Sequence, residues 1–237
     1  MALACAWLLL ALLPILGASA ETAGGPSRSS AAPGRVLVTG FGPFHHHGHE
    51  YDHNPSGEVA ELLDGQCFQD TICVEGMKLP VDDAGVQVAQ NFLLQGNPKA
   101  WEAIIHLGLE STTKGLKVEV AALNNKAKDN STIIDGGSTI LPTTVDLGAL
   151  DLAPALSGVD GSSPEEMWSR DAGHFYCNEI FYRTLRVVRR MYMKDGRLMP
   201  VVFVHLPPTE GVNALRDIAR VVLELSVLIT KDSPPSS

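Results

Sequence analysis

The sequence has little basic charge, few cysteines and a single long apolar run. Lys and Arg number 18 against 27 Asp and Glu, which gives a formal net charge of -9. Because no excess of basic residues is present to neutralise phosphates, nucleic acid is not an expected partner. Hydrophobic residues make up 45% of the 237 residues, enough to bury a core, and this excludes a disordered or fibrous protein.

The long apolar run occupies residues 1–20, where no side chain is charged. It is too short to span a membrane comfortably, and Ala18 and Ala20 form an A-x-A cleavage site. We therefore predict a secretory signal peptide over residues 1–20 and a flexible linker over residues 21–34. An uncleaved anchor is the alternative, because no Lys or Arg follows Met1. We expect a secreted or lysosomal protein without stable membrane association after cleavage.

Removal of the signal peptide removes Cys5 and leaves three cysteines in a chain expected to enter an oxidising compartment. Cys67 and Cys73 are six residues apart, a spacing that allows a small disulfide loop and leaves Cys177 unpaired. The alternative is that all three are reduced and buried. Asn130 begins an N-x-[ST] sequon in a polar loop and is a potential glycan acceptor.

From residue 35 onward, short apolar runs that end in Gly or Pro alternate with longer segments of helical spacing. This alternation is typical of α/β proteins. We predict one domain over residues 35–230, with a central mixed, mostly parallel sheet and helices on both faces, and a disordered tail over residues 231–237. Strands are predicted at 35–39, 71–79, 103–109, 116–123 and 201–206, and helices at 56–63, 82–94 (with Phe92 inward), 175–193 and 212–229.

Ligand-binding residues in open α/β sheets gather at the carboxyl ends of the strands. The first predicted strand ends in the turn Gly40–Phe44, which presents two aromatic rings. Phe41 and Phe44 either form the walls of a flat apolar pocket or cover the sheet edge. The turn lacks the further Gly and the Lys of a phosphate-binding loop, and no cofactor is expected.

Three residues are candidates for catalysis. Cys177 is predicted in the first turn of a helix, where the unpaired amides and the helix dipole favour a thiolate, although a small buried hydrophobe is the alternative. His205 stands at the exit of a buried strand, which suits a general base, and its alternative is a histidine that bonds a carbonyl. Glu119 on its own is weak evidence for a catalytic carboxylate, because a surface pair with Lys117 would also explain an acidic residue at this position.

Five histidines lie within nine residues just after the aromatic turn: His45, His46, His47, His49 and His53. Imidazoles at this density can chelate zinc or copper. No cysteine or carboxylate frames them at the spacing of a structural site, however, and histidines in loops are usually solvated. We therefore predict no metal site.

Six segments together resemble the pyroglutamyl peptidase I family of cysteine peptidases, over about Arg35 to Ile229. They occur in the order of the family's motifs and are highly specific as a set. The segments are Val38–Phe44 (VTGFGPF), Asn54–Ser56 (NPS), Leu107–Leu109 (LGL), Glu119–Asn124 (EVAALN), Asp171–Asn178 (DAGHFYCN) and Phe203–Pro207 (FVHLP).

The resemblance implies a phosphorylase- or hydrolase-like α/β fold and a Cys-His-Glu triad formed by Cys177, His205 and Glu119. The implied reaction removes an N-terminal pyroglutamyl residue from peptides, with Phe41 and Phe44 binding the lactam ring and no metal or cofactor. A secreted, non-catalytic binding protein of the same fold is the alternative, because the residues at Glu110–Lys114 and Val120 depart from the family pattern. Nucleoside phosphorolysis, known on a similar fold, is disfavoured by the intact Cys, His and Glu segments. The resemblance leaves the oligomeric state open.

Overall fold

The computed structural model describes residues 32–46, 48–69, 71–95, 101–126, 129, 131–195 and 198–231. The predicted signal peptide, the linker before residue 32, His47, Asn130 and residues 232–237 lie outside the described residues. The first strand begins at Gly34, one residue before the predicted start of the domain. Of the helices in the described ranges, none is long and apolar enough to cross a membrane.

A seven-stranded sheet lies at the centre of the molecule. Its strands are β1 (Gly34–Phe41), β4 (Cys67–Phe68), β5 (Ile72–Leu79), β6 (Ala103–Leu109), β7 (Lys117–Glu119), β10 (Trp168–Ser169) and β11 (Val201–Leu206). Their spatial order is β10-β7-β11-β6-β1-β5-β4. The pairs β1–β5, β1–β6, β11–β6 and β10–β7 are parallel, whereas β7 runs antiparallel to β11 and β4 antiparallel to β5. The predicted mixed, mostly parallel sheet is confirmed.

Helices cover both faces of this sheet, as predicted. They are α1 (Pro55–Leu63), α2 (Val88–Gln95), α3 (Ala153–Leu156), α4 (Tyr176–Asp195) and α5 (Val212–Lys231). Because side chains alternate across a strand, Val36 and Val38 pack in the core with α1, α3 and α5, while Leu37 packs with α2 and α4. His205 falls on the same face as Val201 and Phe203, which is the face covered by α4.

The described residues also form two short hairpins: β2 (Phe44–His46) with β3 (His49–Tyr51), and β8 (Ala121–Leu123) with β9 (Ile140–Pro142). The second hairpin corrects the predicted strand over 116–123, which is not continuous. Residues 117–119 pair with β11 in the central sheet, and the chain then changes partner at Val120, whose carbonyl accepts from the Thr143 amide next to β9. Hydrophobic alternation alone does not show such a change of partner.

The predicted helix over 82–94 begins later than expected. The Asp82 carboxylate accepts hydrogen bonds from the amides of Ala84 and Gly85, which makes residues 82–84 a turn, and a single 3-10 turn (Gly85–Gln87) precedes α2. Phe92, predicted to face inward, is 47% exposed, because Ala89 and Leu93 occupy the buried side of α2.

Cys67 and Cys73 lie directly opposite each other on β4 and β5 and form a disulfide. Of the two possibilities that the sequence left open, the structure shows the small disulfide loop and not three reduced, buried cysteines. Cys177 forms no disulfide and is half-buried.

Candidate active site

Cys177 is the second residue of α4, so it lies in the first helical turn as the sequence predicts. The turn before it contains Gly173 at φ 73°, a conformation that glycine adopts without strain. The thiol approaches the backbone of β6: a Cβ added at Gly108 would lie 2.8 Å from Cys177 Sγ and 2.6 Å from Phe203 Cζ. Gly108 is therefore required for the thiol to reach the end of the sheet.

The start of α4 is fixed by the buried side chain of Asn178. Its Oδ1 accepts a hydrogen bond from the Leu123 amide at 2.8 Å, and its Nδ2 donates to the carbonyls of Leu123 (2.8 Å) and Asn125 (3.0 Å). These three bonds join the helix to the end of β8 and restrict the position of Cys177.

His205 and Glu119 form a buried pair beside the thiol. His205 Nδ1 lies 2.8 Å from Glu119 Oε1, and the two residues are 5% and 0% exposed. Glu119 is therefore not part of a surface pair with Lys117, whose Nζ instead donates to the Glu166 carbonyl. The carboxylate also excludes the alternative that His205 Nδ1 bonds only a carbonyl.

The protonation state of His205 reflects its neighbours. Burial by itself would lower the pKa of this imidazole, but hydrogen bonds with Cys177 and Glu119, together with the negative charges of those two groups, raise the pKa of His205 to about 10. Because Nδ1 is engaged by Glu119, Nε2 is the nitrogen left to bond Cys177. The arrangement favours an imidazolium at His205, between the Glu119 carboxylate and the Cys177 sulfur.

A cavity of about 320 Å³ opens beside Cys177 and His205. Phe41 and Phe44, the two aromatic residues singled out in the sequence, both line it. Phe41 is 3% exposed and also packs in the core, whereas Phe44 is half-buried and stacks on Tyr51 with ring centroids 4.6 Å apart and planes 8° apart. The cavity has a volume suited to a small ligand, and aromatic rings form part of its wall.

The aromatic turn is held by the start of α1. Asn54 caps this helix through a bond from the Ser56 amide to its Oδ1, and its Nδ2 donates to the Gly42 carbonyl at 3.0 Å. Ser56 Oγ accepts from the Phe41 amide, also at 3.0 Å. The Asn-Pro-Ser segment thus has a defined role: it fixes the backbone that carries both phenylalanines.

Sequence reasoning missed several residues of the cavity wall. Phe175 and Tyr176 line it, and their position directly before Cys177 was an available signal. Tyr51 reaches the cavity through the β2–β3 hairpin, which the sequence did not show. Glu110 also lines the cavity, and its departure from the family pattern was noted without a role being assigned.

The histidine-rich segment forms this hairpin, in which His46 pairs with His49 and His45 with Glu50. The His46 ring packs on Phe175, with centroids 4.4 Å apart. Within the described part of the hairpin, which omits His47, the histidines do not converge into a three-ligand group.

A second buried histidine, His106, lies on the same face of the sheet, opposite Phe203 on β11. Its Nδ1 is 2.7 Å from Thr39 Oγ1 and its Nε2 is 3.0 Å from Thr184 Oγ1. Burial lowers the pKa of His106 to about 3. This neutral imidazole joins β1, β6 and α4 two turns beyond Cys177.

Comparison with known proteins identifies relatives along most of the chain. A sequence profile of the pyroglutamyl peptidase family matches residues 34–220. Pyroglutamyl-peptidase 1 of Homo sapiens is 26% identical over 187 residues, covering 73% of this chain and 78% of the human protein. Pyrrolidone-carboxylate peptidase of Pseudomonas fluorescens is 28% identical over 184 residues, with the same coverage.

Solved structures show the same fold. The pyroglutamyl peptidase I of Bacillus amyloliquefaciens superposes with a TM-score of 0.67 at 19% identity, covering 84% of this chain and 95% of that one. The pyrrolidone carboxyl peptidase of Thermococcus litoralis gives a TM-score of 0.62 at 22% identity, covering 84% and 94%. The profile match extends over more than three quarters of the sequence, and the chain therefore belongs to the pyroglutamyl peptidase family, as a pyroglutamyl-peptidase I-like enzyme.

Proposed function

We propose that the chain hydrolyses the bond after an N-terminal pyroglutamyl residue of peptides, with Cys177 as nucleophile, His205 as base and acid, and Glu119 as the residue that orients His205. The observation that carries this proposal is the buried chain of contacts from Glu119 Oε1 to His205 Nδ1 and on to Cys177, at the edge of an aromatic cavity. Nucleophile, base and orienting group stand in the relation that covalent catalysis requires.

Acylation begins from the ion pair in which the Cys177 proton is held on His205 Nε2, as a thiolate and an imidazolium. The thiolate sulfur bonds to the pyroglutamyl carbonyl carbon, and the carbonyl oxygen becomes an oxyanion. When the tetrahedral intermediate collapses, the C–N bond breaks and His205 Nε2 returns its proton to the leaving amine. The products of this half-reaction are a pyroglutamyl thioester on Cys177 and a peptide shortened by one residue.

Deacylation uses the same groups with water in place of the amine. His205 Nε2 takes a proton from water, and the hydroxide adds to the thioester carbonyl. The C–S bond then breaks to give free pyroglutamate, and the Cys177 sulfur leaves as a thiolate that shares the proton held on His205 Nε2, which restores the starting pair. Glu119 keeps Nδ1 protonated and offsets the imidazolium charge in both half-reactions.

The aromatic walls provide a physical basis for selecting a lactam. A pyroglutamyl ring is flat and uncharged, which suits a cavity lined by Phe41 and by the stacked pair Phe44–Tyr51. An ordinary peptide would bring an N-terminal ammonium into the same cavity and lose its hydration. Exclusion of that charge supports specificity for N-terminal pyroglutamate.

We also propose that the protein acts in the secretory pathway, outside the cell or in a lysosomal lumen. The apolar residues 1–20 with their A-x-A site support this, and so does the Cys67–Cys73 disulfide, because structural disulfides are rare in the reducing cytosol. Expression of the full chain followed by N-terminal sequencing of secreted material tests it; a chain retained in the cytosol with residues 1–20 intact would contradict it.

The function is tested with a pyroglutamyl fluorogenic amide and with the matching amide of proline, which has the same ring without the lactam carbonyl. We expect release of the fluorophore from the pyroglutamyl amide alone. Cys177→Ala should abolish release, and rapid quenching of the wild type should trap Cys177 carrying one pyroglutamyl group, visible by mass spectrometry.

The matched control is the double variant Cys67→Ala, Cys73→Ala, which removes the other described cysteines, those of the disulfide, and should keep its turnover. Activity that survives alkylation of Cys177 by iodoacetamide would contradict the mechanism. Tight binding of the pyroglutamyl amide without any release would instead support the non-catalytic binding protein.

A further inference from the structure

Three potential metal ligands meet at the ends of neighbouring strands, beside the proposed nucleophile. Glu110 directly follows β6, Glu119 ends β7, and His205 lies on β11 between these two strands. One ligand atom from each lies within 4.8 Å of the other two. In the ranges that the structure describes, this is the one group of three or more such side chains, although the sequence predicted no metal site.

The backbone holds these residues in place. In the strand register, β11 pairs His205 with Gly108 of β6 and Phe203 with Glu119 of β7. The Glu110 amide donates to the Leu206 carbonyl at 3.0 Å, which extends the β6–β11 pairing to Glu110 itself. Assembly of the three ligands therefore needs side-chain adjustment only.

One of the potential ligand atoms lacks a hydrogen-bond partner among the described residues. Glu119 is fully buried, and its Oε1 bonds His205, but its Oε2 is buried with no hydrogen-bond partner among the described residues. A buried carboxylate oxygen without a donor or a cation is costly. Glu110 is half-buried and accepts one long bond, 3.3 Å from Thr112 Oγ1, so its carboxylate retains capacity to bind.

The donor set is one imidazole and two carboxylates. Ca²⁺ and Mg²⁺ favour sites made of oxygen alone, whereas Zn²⁺ takes nitrogen and oxygen together, commonly with three protein ligands and an open fourth position. We propose that Glu110, Glu119 and His205 form a Zn²⁺ site within the active centre, and that its occupation reversibly inhibits the enzyme.

Zinc bound to the His205 imidazole would inhibit the enzyme because it occupies a ring nitrogen. Zinc displaces one ring proton of the His205 imidazolium to solvent and binds the nitrogen lone pair that this frees. The other ring nitrogen keeps its proton, so no nitrogen is left to accept the proton of Cys177. Zinc would also draw the Glu119 carboxylate from its role in orienting the ring. This consequence rests on the proposed function, whereas the binding of zinc does not.

Binding is measured by isothermal titration calorimetry of the full chain with zinc chloride. We expect one Zn²⁺ per chain for the wild type and also for Cys177→Ala, which has no thiol at the site. Glu110→Gln removes one ligand with little change of shape and should weaken binding by about tenfold or more. Thermal unfolding of each variant checks that it is folded.

Two controls separate this site from other zinc ligands. Glu166→Gln changes a nearby exposed carboxylate that is outside the group and should bind zinc as the wild type does. The variant His45→Ser, His46→Ser, His49→Ser removes hairpin imidazoles and should also retain the site. Loss of binding in Cys177→Ala or in the hairpin variant, or equal affinity in Glu110→Gln and the wild type, would overturn the proposal.

The inhibitory role is measured as the zinc inhibition constant for release from the pyroglutamyl amide, each variant relative to its own zinc-free rate. We expect Glu110→Gln to raise this constant by about as much as it weakens binding, and Glu166→Gln to leave it unchanged. Full turnover by zinc-saturated enzyme would overturn the inhibitory role. A chain that binds zinc through Glu110 but never cleaves the amide would contradict the proposed function and leave the metal site standing.

Discussion

Two buried histidines on neighbouring strands of the same sheet face differ in charge. His106 on β6 and His205 on β11 are 0% and 5% exposed, yet the pKa of His106 falls to about 3 and that of His205 rises to about 10. Burial opposes the charged form in both. Only the partners differ: His106 contacts two threonine hydroxyls, and His205 contacts a carboxylate and a thiol.

The comparison indicates that the acidic partners, and not burial on this face of the sheet, give His205 the charge that its proposed role as base and acid requires. A hydroxyl satisfies a ring nitrogen without altering its charge, which makes His106 a neutral crosslink. Glu119 and Cys177 make His205 a site where a proton can be held and moved. Substitutions at one histidine or its partners, with the other histidine left intact, test this difference.

The largest effect is expected from His205→Ala. Without the imidazole, no group in the described contacts takes the proton of Cys177, and turnover of the pyroglutamyl amide should fall by about 10⁴-fold or more. The fold should survive, because His205 lies near the end of its strand. Steady-state kinetics and far-UV circular dichroism measure the two outcomes, and a variant that keeps near-normal kcat would rule out the triad.

Glu119→Gln tests whether the carboxylate charge is the cause of the difference. The amide can still accept from His205 Nδ1, but it carries no charge, so the pKa of His205 should drop well below about 10 and kcat should fall by about a thousandfold. NMR titration of the imidazole gives the pKa. Glu179→Gln, which alters a buried carboxylate that bonds Arg183 and not His205, is the control and should leave that pKa in place.

Much of this arrangement was predictable from sequence. The parallel core strands, the position of Cys177 in the first turn of α4 and the strand-end position of His205 all follow from hydrophobic runs and from Gly and Pro. The spacing of six between Cys67 and Cys73 allowed a disulfide but left the pairing open, and the structure shows that it forms. These features depend on local pattern, which a sequence displays directly.

Features that depend on pairing between distant segments were not predictable in this way. Glu119 and Lys117 alternate as on an exposed strand, and only the antiparallel pairing of β7 with β11 brings Glu119 against His205. His106 lies in an apolar strand, and its threonine partners come from 67 residues before and 78 residues after it. The break in the predicted strand at Val120 and the hairpin that carries Tyr51 likewise depend on strand pairings that the local sequence does not indicate.

The two histidines should affect stability in opposite directions with pH. The pKa of His106 is lower in the folded state than its unfolded value of about 6.5, so its contribution is present above pH 6.5 and is lost as pH falls toward 3. The raised pKa of His205 gives a contribution that is fully present below about pH 6.5 and is lost as pH rises through about 10.

Chemical denaturation between pH 4 and pH 7 measures the acidic limb of the stability profile, which is the loss of folding stability as pH falls. His106→Gln keeps polar atoms for both threonines but does not titrate in this range, so the loss of stability with falling pH should be shallower by up to ~1.4 kcal/mol per pH unit than in the wild type. An identical acidic limb in the two proteins would mean that His106 is not held neutral in the folded state.

The smallest effect is expected from Thr184→Val, which separates the role of the hydroxyl from that of burial. Val has nearly the shape of Thr but cannot bond His106 Nε2, so the free energy of unfolding should fall by about 1–2 kcal/mol. Thr230→Val, whose hydroxyl bonds only carbonyls of its own helix, is the matched control and should cost less than ~1 kcal/mol. Because burial is the cause of the lowered pKa of His106, the acidic limb of the stability profile should persist in Thr184→Val. If the limb disappears, the threonine contact and not burial keeps His106 neutral, and the contrast with His205 would then come from hydrogen bonding on both sides.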